Sequence, residues 1–206
     1  AVQNRMGVGD TIIFLPYIKA LSKKFNSPVS ILVKENSKAN QYLGQTNYID
    51  EILILERDND INKRHSGFLG SFNLIKDLKK YKFDKIIIFN SSFRYRMIAK
   101  FSNIPDIYQY PLFQKTNQHI INAPRKFMKD KLDLVVDEDP VVQINDDSIL
   151  KASEKFKINK NEINILLGIG GSGPTKRIPA ETFLNVIDGM LKNKKCKFFL
   201  ATGKSD

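Results

Sequence analysis

Cysteine is nearly missing from this chain of 206 residues: Cys196 is the only one. It cannot close an internal disulfide, so no cross-linked secreted scaffold is specified and a reducing, cytoplasmic compartment is expected. In Lys195-Cys-Lys-Phe-Phe199 it reads as a half-buried strand residue, not as a nucleophile. There is no zinc-ligand spacing of Cys and His. No apolar run approaches the roughly 20 residues that span a bilayer as a helix. The first residues have neither the basic start nor the apolar core of a signal peptide. The chain does not begin with Met and is read as an internal piece of something longer.

Acidic residues are in short supply, with 22 Asp and Glu against 33 Lys and Arg and a net charge of +11. Such a balance raises the question of nucleic acid. The lysines, however, are spread along the chain. No arginine-rich block and no aromatic–basic RNA-binding signature accompanies them, so no nucleic-acid partner is expected. An RNA-binding protein would show steeply salt-dependent affinity. A basic surface also suits nucleotide diphosphates, phosphorylated glycans or an anionic membrane face. What the chain does have is ordinary for a globular protein: 42% hydrophobic and 27% charged residues. Its length holds one large domain, or one domain and part of another.

The chain is organised around Arg5-Met-Gly-Val-Gly-Asp-Thr-Ile-Ile-Phe-Leu-Pro16. Asp10 stands where a helix N-cap belongs, because its carboxylate can accept N–H bonds that a first turn leaves open. Gly7 and Gly9 permit angles and close approaches that a side chain would block. The same residues suit an active-site loop that holds a carboxylate at the mouth of a cleft. Residues 11–25 then read as a helix with Ile12, Ile13, Leu15, Ile18, Leu21 and Phe25 on its apolar face. Pro16 is expected close enough to the first turn for its missing donor to cost little.

A βαβ rhythm follows. Strands are predicted at Val29–Val33 and Ile52–Leu55, with a short helix at Asn36–Leu43 between them. Residues 56–66 form a polar connection in which His65 is expected to be solvated. Phe68, Phe72, Ile75 and Leu78 recur at helical spacing, ahead of Lys79 and Lys80. Asp84–Phe89 is the clearest buried parallel strand. Asn90, Ser91 and Ser92 follow at its carboxyl end, where ligands collect in open α/β sheets. They are candidate ligand contacts, and turn or cap chemistry explains them equally well. A helix over 93–102, a strand at Tyr108–Tyr110 and a helix from His119 to Leu132 come next. His119 is a candidate acceptor-side residue or simply a helix-start residue. The acidic stretch 133–148, with Pro140, reads as an interdomain connection, and Ile149–Phe156 as a helix. A fresh unit opens near Glu162, with strands at Ile163–Leu167 and Lys197–Ala201 and a helix from Pro179 to about Asn193. So few strands do not make a domain, and the second one is read as begun but not finished.

Between the last two strands lies a second glycine-rich loop, Gly168-Ile-Gly-Gly-Ser-Gly-Pro-Thr-Lys176. It is not a P-loop, because Pro174 occupies the lysine position and Lys176 comes two residues late. Neither loop is a dinucleotide fingerprint, since Ile12 stands where the third glycine belongs after Gly7 and Gly9. Gly170, Gly171 and Ser172 can still present N–H groups and a hydroxyl to an anion at a helix start. Lys176 can neutralise a phosphate there. A turn with a solvated lysine accounts for the loop as well.

In order and separation three features resemble glycosyltransferase family 9, the heptosyltransferases of bacterial lipopolysaccharide assembly. They are the Gly9-Asp10 loop with its apolar helix and Pro16, the strand end Phe89-Asn-Ser-Ser-Phe-Arg94, and the segment Lys176-Arg-Ile-Pro179-Ala-Glu-Thr-Phe183. The resemblance implies an α/β protein of GT-B type. Residues 1–145 would form a Rossmann-like acceptor-side domain with most of its first strand missing. Residues 146–206 would hold the linker and the start of a nucleotide-sugar-binding domain. It further implies an inverting sugar transferase that needs no metal or other cofactor. Asp10 would be the general base, Gly170, Gly171, Ser172 and Lys176 would meet the donor diphosphate, and Gly9, Asn90, Ser92 and His119 would lie on the acceptor side. The implied partners are a nucleotide-sugar donor, a glycan or glycolipid acceptor and an anionic membrane face. Ile178 departs from the family, which often carries an aromatic residue before this proline. The later donor-binding glycine motif of the family is absent, so the piece is not expected to be active alone. The alternative is a non-catalytic α/β protein that binds a nucleotide sugar or phosphate.

Overall fold

The structure is a computed structural model that describes residues 2–3, 7–57, 63–112, 119–170 and 178–202. The chain divides into two compact units, Ala1–Ile144 and Asn145–Asp206.

The first unit contains β1 (Val2–Gln3), α1 (Val8–Phe25), β2 (Val29–Lys34), β3 (Ile49–Leu55), α2 (Leu69–Tyr81), β4 (Lys85–Phe89), α3 (Phe93–Phe101), β5 (Asp106–Gln109) and α4 (Asn122–Leu132). Its five strands lie in the order β3-β2-β1-β4-β5, and every pairing is parallel. A parallel sheet needs cover on both faces, which is why Ile31–Val33 of β2 and Ile86–Phe89 of β4 read as unbroken apolar runs. Successive strand residues point to opposite faces. Ile86 and Ile88 accordingly pack under Leu74 and Leu78 of α2 and Tyr95, Ile98 and Ala99 of α3. Ile87 and Phe89 face the other way, under Phe14, Tyr17 and Leu21 of α1 and Phe127, Met128 and Leu132 of α4. The remaining side of α1, with Leu15 and Ile18, packs on Ile31 and Val33 of β2 and on Ala39 and Leu43.

Several local expectations are corrected. Helix α1 begins at Val8, so Gly7 is its N-cap and Asp10 is the third helical residue. Pro16 therefore lies in the helix interior, where the Ile12 carbonyl loses its i+4 donor. The short helix expected at Asn36–Leu43 is two 3-10 turns, Glu35–Ser37 and Ala39–Gln41. Lys38 between them is left-handed at φ 50°, which an α-helix cannot carry through. On α2 the buried residues are Gly70, Leu74 and Leu78, whereas Phe68 and Phe72 are exposed. The stretch after α4 is no loose tether. Val136 is buried in the core under α1 and α4, Glu138 pairs with Lys19 and Lys23 at 2.5 and 3.0 Å, and the Gln143 side chain accepts the Asn47 N–H at 2.9 Å.

The second unit contains α5 (Asp146–Lys155), β6 (Ile163–Gly168), α6 (Ala180–Leu191) and β7 (Cys196–Ala201). Asn145 caps α5 by accepting the Ser148 N–H at 2.8 Å. β6 and β7 pair in parallel from Ile163↔Cys196 to Gly168↔Ala201. Among the described residues no helix is long and apolar enough to cross a membrane.

Candidate functional site

The strand order reverses at β1, with β2 on one side and β4 on the other. In such sheets the crevice outside the carboxyl ends of the strands, at the switch point, is where ligands bind. The chain brings its unusual polar residues to that edge.

Gly9 and Asp10 occupy the first turn of α1, above the end of β1. The Gly7 N–H donates to Asp10 Oδ2 at 3.3 Å, and the Thr11 hydroxyl donates to the Gly7 carbonyl at 2.9 Å. The carboxylate thus reaches back to the helix start, where the helix dipole favours negative charge. Neither Gly7 nor Gly9 has positive φ, so the freedom expected of them is not used in their backbone angles. A Cβ on Gly9 would meet no atom of the described residues within 4 Å, so the helix surface is open at Gly9, next to Asp10. One turn further on, Phe14 packs against Phe89 with ring centroids 5.1 Å apart. Phe89 immediately precedes Asn90, so the same helix–strand contact sets Asp10 and Asn90 at neighbouring strand ends.

Asn90 is buried, and its Oδ1 accepts the Ser92 N–H at 2.7 Å, closing an Asx turn. The Gln109 side chain, at the end of β5, donates to the carbonyls of Asn90 and Ser92 at 2.8 and 2.9 Å. Its carbonyl oxygen is buried with no hydrogen-bond partner among the described residues. Ser92 is the N-cap of α3 without a side-chain cap bond. Turn chemistry therefore occupies Asn90, and the Ser92 hydroxyl is not spent on capping. His119 is exposed in the turn before α4, where its carbonyl accepts the N–H groups of Asn122 and Ala123. Gly170 is exposed just beyond the end of β6. Gly171, Ser172 and Lys176 lie outside the described residues.

Two functional candidates escape a reading by motif. Arg57, just past β3, donates to the Tyr95 hydroxyl at 3.4 Å. Arg94, in the first turn of α3, donates through Nη2 to the His65 carbonyl at 2.7 Å, while its Nε is buried with no hydrogen-bond partner among the described residues. Burial and the nearby Arg57 charge pull the Arg94 guanidinium below the ordinary arginine range. Two half-buried guanidiniums that repel each other form a favourable place for an anion. The available signal was one arginine two residues past β3 and another in the first turn of α3, in a lysine-rich chain.

His65 holds this corner and is not solvated: only 4% of it is exposed. Its Nδ1 accepts the Glu56 N–H at 3.0 Å, which leaves the proton on Nε2, 3.1 Å from Asp77 Oδ2. Burial pushes the Asp77 carboxyl up, but hydrogen bonds from Lys80, Arg64 and His65 outweigh it and hold the group well below the usual carboxylate range. Gly70 is required here, since a Cβ would stand 2.2 Å from the His65 carbonyl carbon. A separate cleft of about 460 Å³ lies at the amino ends of the strands, between Val29 and Lys85. It is at the opposite end of the sheet from Asp10.

A parallel α/β unit with a carboxylate in the first helical turn at its switch point defines the class of fold. No protein-family model and no curated protein matches the chain. Among solved structures it is similar to a glycosyl transferase of family 9 from Veillonella parvula, with TM-score 0.66 and 19% identity over 98% of this chain and 68% of that one. It is also similar to the ADP-heptose lipopolysaccharide heptosyltransferase II of E. coli, with TM-score 0.69 and 15% identity over 100% of this chain and 64% of that one. The E. coli heptosyltransferase WaaC with ADP gives TM-score 0.58 at 13% identity, over 98% and 67%. The chain thus spans about two thirds of the length of these structures. The resemblance to glycosyltransferase family 9 holds at the level of the fold.

Proposed function

We propose that the complete protein is an inverting glycosyltransferase of GT-B type. It moves heptose or a related sugar from a nucleotide-diphosphate donor to lipopolysaccharide or another cell-envelope glycan, at the cytoplasmic face of the membrane. The observation that carries this reading is the placement of Asp10 beside open surface at the switch point, in a chain whose whole length follows the heptosyltransferase fold. The strand order of the first unit supports a Rossmann-like acceptor domain.

Asp10 accepts the proton of the acceptor hydroxyl as that oxygen attacks the anomeric carbon and the bond to the diphosphate breaks. The leaving nucleoside diphosphate gathers negative charge. N–H groups at Gly170 and Gly171, the Ser172 hydroxyl and the Lys176 ammonium stabilise it. Arg57 and Arg94 suit an acceptor that itself carries a phosphate or carboxylate.

Asp10→Asn in the complete protein tests the base. Asparagine keeps the size and can still accept the Gly7 N–H, so the melting temperature should hold. The transfer rate should fall about 10²–10⁴-fold, with donor affinity retained. Near-normal turnover by a stable variant would sink the assignment. Donor binding without any turnover by the unaltered protein would favour the non-catalytic alternative.

A further inference from the structure

Phe68, Leu69 and Phe72 are 79%, 76% and 56% exposed, and the Phe68 and Phe72 rings touch edge to face with centroids 5.2 Å apart. Scattered exposed apolar residues are normal, but three adjoining large ones on one helix end are not. At 3.6 residues per turn, Phe68, Phe72, Lys76 and Lys79 fall within an arc of about 80°, with Leu69 at its margin. All three lysines of the helix, Lys76, Lys79 and Lys80, are exposed. Its one acid, Asp77, is turned aside by Arg64, His65 and Lys80. Gly70, Leu74 and Leu78 take the opposite, buried side. The amino end of α2 follows β3, so the apolar tip lies at the same end of the sheet as Asp10 and Arg57.

We infer that this outer face of α2 is a membrane-docking surface: Phe68, Leu69 and Phe72 enter the acyl boundary of an anionic bilayer while Lys76 and Lys79 meet its phosphate headgroups. An apolar tip continued by cations on one helix face is the arrangement that binds an anionic lipid surface. A protein groove would complement the rings without needing the lysines, and a second copy of this face would set lysine against lysine. The inference gives the peripheral membrane contact of the proposed function a location. It requires no sugar transfer, so the two can fail separately.

The test is co-flotation of the 206-residue chain with vesicles of 30% phosphatidylglycerol in phosphatidylcholine, against pure phosphatidylcholine. Binding should require the anionic lipid and weaken with salt. The variant Phe68→Ser/Leu69→Ser/Phe72→Ser and the variant Lys76→Glu/Lys79→Glu should each lose at least about ten-fold in partitioning, since one lysine near such a surface accounts for about five-fold. Lys126→Glu/Lys129→Glu changes exposed lysines of α4 on the other side of the sheet by the same charge and should lose less than about three-fold. All these side chains are exposed, so melting temperatures should match. Because the chain lacks tryptophan, Phe68→Trp supplies a single reporter whose emission should shift to the blue on adding anionic vesicles. Equal loss in the α4 control, retained binding by the serine variant, or an unshifted Trp emission would each overturn the inference. So would a dimer that the serine variant abolishes in a protein that ignores vesicles.

Discussion

The two units use the same strand–helix vocabulary and reach opposite results. In the first, five parallel strands are covered on both faces, and three apolar clusters form. In the second, β6 and β7 pair in register along their whole length, yet neither α5 nor α6 has a buried residue. Leu166 is 71% exposed and Leu200 58%. Backbone pairing and helix propensity suffice to make elements. A core appears only when layers close on both faces of a sheet, because burial, not pairing, removes apolar area from water.

Hydrogen exchange of the 206-residue chain gives the widest separation. Amides of β2 and β4 should exchange slower than those of β6 and β7 by a factor on the order of 10³, as global and local opening differ. Equal protection in both units would break the comparison. A paired truncation sharpens it. Ile88→Ala, at a fully buried position, should cost about 3–4 kcal/mol in denaturant unfolding. Leu200→Ala should stay within about 0.5 kcal/mol, as surface substitutions do. A large loss from Leu200→Ala would reveal a second core.

Smaller effects ask whether the loop before α2 belongs to the first unit's core. Gly70→Ala puts a methyl against the His65 backbone and should cost about 1–3 kcal/mol. Calorimetry would read it as a lower melting temperature, and an unchanged one would mean that the loop yields freely. Last comes acid. The folded carboxyl of Asp77 lies below its unfolded value of about 3.9. Its contribution is therefore complete above pH about 4 and is lost as pH falls from there toward the folded value. Asp77→Asn should remove about 1–2 kcal/mol at neutral pH and flatten that part of the acid limb. An unaltered acid limb would show that Lys80, Arg64 and His65 do not stabilise the charge.

Much of the element order was readable from residues alone. Asp84–Phe89 announces a strand buried on both faces, because no polar residue interrupts Ile86–Phe89. The position of Asp10 near a helix start was readable too, though not its place in the first turn. A cap at Gly7 depends on backbone angles, and glycine carries no side-chain signal for them. His65 looked solvated because its neighbours are polar. It is buried because Glu56, Asp77 and Arg94 supply partners that its polar neighbours do not announce. The buried side of α2 was misread because Phe68 and Phe72 share the spacing of core residues, and spacing does not say which side meets the sheet.

By itself the sequence determined local matters: which stretches are strands, which are helices, and where the glycine loops fall. Periodicity, propensity and turn chemistry act over a few residues, and they are written in those residues. Only the tertiary structure decided the order β3-β2-β1-β4-β5, the meeting of Arg57 with Arg94 at one corner, and the outward turn of Phe68, Leu69 and Phe72. Those depend on contacts between residues far apart in the chain, where burial and charge compensation are settled among partners that no local window contains.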